Sequence, residues 1–543
     1  TELIDRFIEY RRNPLNINEA EREEFLDLYF LDIRQINEIL AHRNKYGSFK
    51  SVYELQVLPS MDRQSIQDLL LFASIEPVSD ERPGFFESLK YNRNSLLTRI
   101  QMVPEQSRGY KIADTAENPR EINSYPGSPI RFFTRYHFKS YNGFSAGFTA
   151  EKDAGEEFFQ GTQKQGFDYY SAHAFYESKG VIKSLAIGDY QARFGQGLVM
   201  WSGLAFNKSP DAYNVVKHGN GLRPYRSLNE NLFLRGAGAT FDLGKLEITT
   251  FYSKRNIDAG IRTDTLLSED LNAFTAFDLS GYHRTPNERL KKDALNEQLI
   301  GFNINGDIKN LHLGLSGTYM RYDNILSSGG DLYRKFNPND NEFLNIGVNY
   351  AYVYHKLFFF GETALGNDNA LATINGFQYQ LTSEARLAIV HRNYSRSYFS
   401  PYANGFREAS TTQNESGTYI GMVLTPHRKW LANLYFDVFR FPWLRYLVDA
   451  PSEGYEYLAD IHYNHDRNTE FYFRLKHQTK DRNFSGNETP LNQPLPESRT
   501  NYRLHLNKNM SSRLTLASRA EFVTANSEDK GLKMGWLIFQ DIK

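Results

Sequence analysis

The segment EYLADIHYN, residues 456–464, alternates between apolar and polar side chains. Successive residues of a strand point to opposite faces of the sheet. One face would carry Tyr457, Ala459, Ile461 and Tyr463, and the other Glu456, Asp460, His462 and Asn464. Charges on every second residue cannot face a packed core, because each buried ion would cost several kcal/mol. The pattern fits a strand with one face toward lipid and the other toward a wet lumen.

The same alternation recurs over residues 95–543, as in RFFTRYHFK (131–139), EFYFRLKHQ (470–478) and SRLTLASRAEF (512–522). Aromatic residues make up 15% and charged residues 23% of the chain, and the mean hydropathy is −0.57. We predict a membrane β-barrel of about 20 antiparallel strands, with a range of roughly 18 to 22, preceded by a small all-α domain.

The links between candidate strands alternate between short and long. Short turns include SYNG (140–143), ESKG (177–180) and PHRK (426–429). Long links are expected at 202–230, 258–296, 325–341, 395–415, 443–454 and 483–498, and GNDNA (366–370) is the one short exception. An outer-membrane barrel has short periplasmic turns and long external loops, so the N-terminal domain is expected in the periplasm.

Residues 1–77 have helical spacing, 78–94 form a polar hinge, and 95–543 form the predicted barrel. Four polar residues fit helix starts, three of them with a partner three positions later. These are Asn18 with Glu21, Asp32 with Gln35, Ser51 with Glu54, and Asp62.

The N-terminal segment resembles the tandem helix-hairpin-helix domain of competence-type DNA receptors. The resemblance covers about 60 residues of LNINEA…LDLYFLDIRQINEILAHRNKYGSFKSVYELQVLPSMD and implies that fold. The matching positions are Asn16, Asn18 and Ala20, then Ile36, Ile39 and Arg43, then Gly47, Phe49 and Ser51.

The two hairpins depart from that family. Its glycines allow a phosphate to approach the backbone N–H groups of a helix N-terminus. Here the hairpins read Phe30-Leu31-Asp32 and Ser60-Met61-Asp62, so a Phe side chain blocks the approach and each Asp can cap the helix itself. We therefore expect no DNA-binding residues in this segment and interpret it as a docking or plug module.

The segment 188–241 contains GDYQARFGQGL (188–198) and NENLFLRG (229–236). It is similar to the barrel of an outer-membrane family that couples a helix-hairpin-helix N-terminus to a barrel, which implies fold and location but no reaction. The link 202–230 is predicted to be either a constriction or plug loop or an ordinary external loop. Candidate lumen or constriction residues are Lys208, Lys217, Arg223, Arg226 and Arg235.

The sequence contains few patterns that are typical of a catalytic, cofactor-binding or metal-binding site. Zero cysteines exclude disulfides and thiol catalysis, and no catalytic set, cofactor site or metal site is predicted. The run NPNDNEF has the oxygen density of a cation loop at Asn339, Asp340, Asn341 and Glu342, although a simple turn is the commoner interpretation.

The predicted function is a non-enzymatic integral outer-membrane protein of a Gram-negative bacterium. It would be a plugged or gated channel, or part of an envelope transport or assembly complex. Expected partners are outer-membrane lipid and other envelope proteins bound through residues 1–77, with nucleic acid unexpected. DNA uptake through residues 1–77 and an outer-membrane enzyme remain alternatives. The final segment lacks the terminal aromatic common in such chains, which allows an extension beyond Lys543.

Overall fold

The alternating segments form strands in the computed structural model of this chain. The structure describes residues 7–8, 10–61, 63–77, 90, 92–110, 124–140, 142–263, 272–328, 330–466, 468–484, 492–511 and 514–543. Asp62 and most of the expected hinge at 78–94 lie outside the described residues.

Short helices make up most of the described N-terminal segment. They are Arg22–Leu26, Ile33–Tyr46 and Arg63–Leu69, with the 3₁₀ helix Val52–Val57 between the last two. Strands β1 (Leu15–Asn16) and β2 (Ala73–Ser74) pair in parallel and bring the two ends of this segment together.

Two of the predicted helix starts are confirmed and one is wrong. Asp32 caps Ile33–Tyr46 by accepting a 2.9 Å hydrogen bond from the Gln35 N–H, and Ser51 caps the 3₁₀ helix. The helix that follows Asn18 begins at Arg22 with Glu21 as its N-cap, so Asn18 is no cap. Its side chain instead donates 2.9 Å hydrogen bonds to two distant carbonyl groups, because it lies buried between the segment's two ends.

The described strands of the larger part form an antiparallel ladder of 21 strands. Its first half comprises β3 (Asn92–Met102), β4 (Ile130–Ser140), β5 (Phe144–Lys152), β6 (Tyr169–Glu177), β7 (Ile182–Arg193), β8 (Gly221–Pro224), β9 (Leu234–Asp242), β10 (Leu246–Ile257), β13 (Leu295–Ile308) and β14 (Leu311–Tyr322). Its second half comprises β16 (Glu342–Tyr354), β17 (Leu357–Leu365), β18 (Leu371–Gln380), β19 (Ala385–Tyr394), β20 (Glu415–His427), β21 (Trp430–Phe441), β22 (Ser452–Asp466), β23 (Thr469–Asn483), β24 (Pro494–Ser511), β25 (Leu514–Ser527) and β26 (Gly531–Ile542).

Smaller elements lie in the links. Strands β11 (Ala259–Thr263), β12 (Asn272–Phe277) and β15 (Ile325–Leu326) form a separate three-stranded sheet. The links also contain the helix Pro286–Arg289 and the 3₁₀ helices Arg108–Tyr110, Leu332–Arg334 and Asn367–Asn369.

The predicted strand number is confirmed in the described residues. Strand β8 has four residues and pairs only with the end of β7, which also pairs with β9. Without β8, twenty strands form the wall. The alternation of links also holds: short turns lie at one end of the sheet and long links at the other, which we call the long-link end. Two links at that end, 366–370 and 528–530, are short, whereas the sequence predicted only the first of them as an exception.

Closure of the wall is not confirmed. The strand order is that of a barrel, with β26 next to β3. However, the paired registers of the described residues run unbroken from β3 to β26 without joining those two strands. Their side chains are open to solvent, with Leu96 72% and Trp536 77% exposed.

The wall has an apolar outer face and a polar inner face, as the sequence predicts. On β16, Leu344, Ile346 and Val348 are exposed, whereas Asn345 and Asn349 on the opposite face are buried. The inner face is buried by chain that lies within the sheet. No helix in the described part of the chain combines the length and apolarity needed to cross a membrane.

Candidate functional site

The link between β7 and β9 turns to the inner side of the sheet. Gly195 and Gly197 both have positive φ, at 56° and 79°, so the chain reverses immediately after β7. A Cβ at Gly195 would lie 2.7 Å from a carboxylate oxygen of Glu362 on β17. Glycine is therefore required where the link meets the wall. We call residues 194–225 the lumen link.

The Glu362 carboxylate fixes the first turn of the lumen link. It accepts backbone N–H hydrogen bonds from Gln196 at 2.6 Å, Leu198 at 3.1 Å and Val199 at 3.2 Å. Glu362 is 2% exposed, so the three N–H groups and the carboxylate satisfy one another away from water.

Farther along the lumen link, Lys208 enters an acidic group on the wall. Its Nζ lies 2.9 Å from Asp437 on β21 and 3.3 Å from Glu456 on β22, and it also pairs with Glu408. Burial alone would lower the pKa of Lys208, but these carboxylates outweigh it and raise the pKa. Arg392 on β19 shares Asp437 at 2.8 Å, which extends the ionic network around the wall.

The middle of the lumen link reaches the wall opposite β7. Gln378 on β18 donates a 2.7 Å hydrogen bond to the Tyr213 carbonyl, and the Tyr419 hydroxyl on β20 donates to the Ala212 carbonyl at 3.1 Å. Because β7 and β17 to β22 lie far apart in the strand order, the lumen link crosses the interior.

A second link, residues 395–414, packs against the lumen link. The Tyr398 hydroxyl donates to the Leu198 carbonyl at 2.8 Å, and the Asn404 N–H donates to the Gly197 carbonyl at 2.7 Å. Tyr398 is fully buried. The two links form one packed layer inside the wall.

The N-terminal helices lie at the short-turn end of the wall. Lys179, in the turn before β7, pairs with Glu21 at 3.2 Å. The Arg34 guanidinium donates to the Gln380 side-chain oxygen, at the end of β18, at 3.2 Å. Both wall residues flank short turns, so the helices occupy the end that carries these turns.

The same helices contact the lumen link directly. Arg34 donates to the Tyr213 hydroxyl at 3.3 Å, and Asn220 donates to the Asp27 carboxylate at 3.1 Å. The helical segment and the lumen link thus support each other across the short-turn mouth.

A cavity of about 300 Å³ remains between the helical segment, the lumen link and the wall. Its lining is polar and carries both signs of charge, including Arg22, Lys183, His218, Arg223, Asp242 and Asp307. Burial, with a contribution from Arg22, lowers the pKa of His218 to about 4, so the ring is neutral at pH 7. The cavity would hold about ten waters.

The five cationic candidates do not form one ring. Lys208 and Lys217 lie in the interior, and the Lys217 ammonium donates to the Asn404 carbonyl. Burial lowers the pKa of Lys217 well below its usual value. Arg223 pairs with Glu177 toward the short-turn end, whereas Arg235 pairs with Asp189 at the start of β9.

Arg226 interacts electrostatically with His137 on β4 and His173 on β6. The constriction role of the five residues stays a prediction. The sequence did not indicate which carboxylates pair with these cations, although Asp437 and Glu456, the partners of Lys208, lie at alternating positions that face inward on their strands.

The first hairpin has its helix end occupied by protein. Phe30 stacks near Phe7 and Phe72, and Asp32 both caps the following helix and pairs with Arg34 at 3.3 Å. In the second hairpin, Ser60 donates to Glu38 through its N–H at 2.9 Å and its hydroxyl at 2.6 Å. The absence of DNA binding stays a prediction.

The cation candidate at 339–342 uses its oxygens within its own turn. The Asp340 carboxylate accepts N–H hydrogen bonds from Asn341 at 2.7 Å and Glu342 at 3.2 Å. The Asn339 side chain accepts one from the Ser328 N–H at 3.1 Å. This geometry is typical of a capped turn.

No family model matches this chain, and no curated protein is similar to it in sequence. Several solved structures of bacterial proteins are weakly similar to this chain. OpdQ of Pseudomonas aeruginosa is 12% identical over 76% of this chain and 89% of its own, with a TM-score of 0.32. OccAB3 of Acinetobacter baumannii is 12% identical over 78% and 96%, with a TM-score of 0.31.

An anion-selective porin of Comamonas acidovorans is 11% identical over 69% of this chain and 88% of its own, with a TM-score of 0.27. Scores this low do not establish a common fold. The interpretation of this chain therefore depends on its own geometry.

Proposed function

We propose that this chain is an integral outer-membrane β-barrel whose lumen is plugged by its own lumen link and N-terminal helical segment. It acts as a gated channel, or as the membrane part of an envelope transport complex. The crossing of the interior by the lumen link carries this proposal.

The membrane setting is supported by the two faces of the wall. Large apolar side chains such as Ile300, Val348 and Phe436 are exposed on the outer face. Charged residues such as Asp437 and Glu456 are buried on the inner face. A soluble protein rarely leaves an apolar band of this extent open to water.

The plug is supported by the contacts of the lumen link. It is held by the backbone hydrogen bonds to Glu362, by the ion pairs of Lys208 and by packing against the second link, residues 395–414. Barrels of 16 to 18 strands leave an aqueous channel and those of 22 strands enclose a plugged lumen. A wall of twenty strands is wide enough to conduct once this filling is removed.

The orientation follows from the short turns. Because outer-membrane barrels place short turns in the periplasm, the N-terminal segment would lie at the periplasmic mouth. It would block the mouth there and present its outer surface to other envelope proteins.

The test is conductance in planar lipid bilayers. The intact protein is expected to give little current. Replacement of residues 204–219 by a short Gly-Ser linker, combined with deletion of residues 1–77, is expected to give stable open channels. Deletion of 1–77 alone should give an intermediate result, because the lumen link still contacts Glu362 and, through Lys208, Asp437 and Glu456.

Two results would overturn the proposal. One is large, steady channels in the intact protein. The other is no current from the doubly shortened protein after its folding in lipid has been verified by circular dichroism.

A further inference from the structure

A group of acidic residues surrounds one histidine at the long-link end of the wall. His283, in the link between β10 and β13, is 4% exposed. Its neighbours come from three links: Glu156 after β5, Asp168 before β6, Glu230 before β9, and Asp258 directly after β10. Segments that are distant in sequence therefore converge on this ring.

The two ring nitrogens of His283 have different surroundings. Nδ1 is hydrogen-bonded to the Asp168 carboxylate, which Lys292 also contacts at 2.7 Å. Nε2 lies 2.8 Å from the Asp258 carboxylate, and a ligand oxygen of Glu230 lies within 4.8 Å of both. Asp168 thus has two partners that balance its charge, whereas the Nε2 side holds two carboxylates.

Glu230 differs from the other carboxylates around His283 in its hydrogen bonding. Its side chain is half-buried, and its carboxylate makes no hydrogen bond or ion pair with another described residue. Glu156, by contrast, accepts hydrogen bonds from the backbone N–H of His283 at 3.0 Å and the backbone N–H of Asp153 at 2.7 Å. The Nε2 side therefore holds two carboxylates, and Glu230 is the one without a hydrogen-bond partner among the described residues.

We propose that Glu230, Asp258 and His283 bind a divalent transition-metal ion, with Asp168 orienting the imidazole through Nδ1–H. Imidazole combined with carboxylate ligands suits zinc or manganese, whereas calcium prefers a shell of six to eight oxygens. The carboxylate on the second ring nitrogen is the usual outer partner of a metal-binding histidine.

The spacing of His283 Nε2 and Asp258 already suits a bound metal ion, and the Glu230 carboxylate, within 4.8 Å of both, would have to move closer. Adjacent ligands of a metal bound at about 2.1 Å stand roughly 3.0 to 3.4 Å apart. The Nε2 to Asp258 separation is 2.8 Å, so an ion that replaces the shared proton requires only a small expansion. The Asp293 N–H holds the other Asp258 oxygen at 2.9 Å and keeps this carboxylate in place.

The test is metal binding by the full-length protein in detergent. After chelation and dialysis, titration with Zn²⁺ and separately with Mn²⁺ is expected to show one saturable site for at least one of the two ions. Glu230→Gln and Asp258→Asn should each weaken that affinity by about tenfold or more, and Asp168→Asn should do so by about 10- to 100-fold.

Asp340→Asn is the matched control, since Asp340 lies in another link of the same end and caps its own turn. It should bind the metal as the unaltered protein does. The amide variants keep the shape of the side chain, and circular dichroism verifies their fold.

The proposal fails if neither ion binds saturably, which would leave His283 as an ion-paired structural residue. It also fails if Glu230→Gln binds as tightly as the unaltered protein, or if Asp340→Asn loses binding equally. Tighter binding of Ca²⁺ at these residues would overturn the transition-metal assignment.

Discussion

Glu362 joins the lumen link to the wall through one side chain. A carboxylate can accept several hydrogen bonds, and here three backbone N–H groups of a tight turn converge on it. An apolar side chain cannot replace that function, because the N–H groups lie where water does not reach them. The turn therefore depends on this residue more than on any apolar contact it makes.

Glu362→Leu is expected to release the lumen link. Each N–H group left without an acceptor costs about 1 to 3 kcal/mol, so the total loss is about 3 kcal/mol or more. Trypsin should then cleave after Lys208 or Lys217 at least tenfold faster than in the unaltered protein, as measured by mass spectrometry of the fragments.

Glu342→Leu is the control for that experiment, because the Glu342 side chain is 45% exposed at the start of β16. It should leave cleavage of the lumen link unchanged. Equal cleavage rates in Glu362→Leu and the unaltered protein would show that the turn does not hold the link.

At the scale of the element, the strands could be predicted because their pattern is local. The alternation of polar and apolar residues in EYLADIHYN identifies the inner and outer faces of the strand. In β22, Glu456 and Asp460 face inward as expected. Where the lumen link goes could not be predicted. Its path depends on contacts with residues more than 150 positions away, such as Gln196 with Glu362.

The N-terminal helices illustrate the same limit. The Asp32 cap was predicted because its partner, Gln35, lies only three positions away. Asn18 has the same sequence pattern, but its side chain donates hydrogen bonds to the carbonyls of Phe49 and Glu76 instead. The cluster at His283 has no sequence signature, because Glu230 comes from another link and Asp258 lies 25 positions from His283. Long-range convergence of this kind cannot be read from spacing.

Docking of the helix Ile33–Tyr46 depends on Arg34. Arg34→Met removes hydrogen bonds to the Tyr213 hydroxyl and the Gln380 side chain, each worth about 1.5 to 3 kcal/mol as a charged contact. Hydrogen exchange in peptides that contain Tyr213 is expected to rise by about tenfold or more in the full-length protein.

Lys45→Met in the same helix serves as the comparison, since Lys45 is exposed and contacts only the Tyr46 ring among described residues. Exchange near Tyr213 should not change in that variant. If Arg34→Met also leaves it unchanged, the helical segment does not support the lumen link.

For the whole molecule, the decisive property is what surrounds the wall. Val348 and Tyr354 lie on the same strand and the same outer face, and they are 53% and 52% exposed. In water these two positions would be equivalent. In a bilayer they differ, because Val348 is central in β16 whereas Tyr354 is its last residue, at the short-turn end.

Val348→Arg should therefore destabilise the protein in lipid far more than Tyr354→Arg. A cation on the lipid face costs about 2 to 4 kcal/mol at the midplane and about 0 to 1 kcal/mol near the interface. Urea unfolding of both variants in phospholipid vesicles measures this difference directly. Equal losses at the two positions would mean that no depth-dependent medium surrounds the wall, and the proposed location in a membrane would then be wrong.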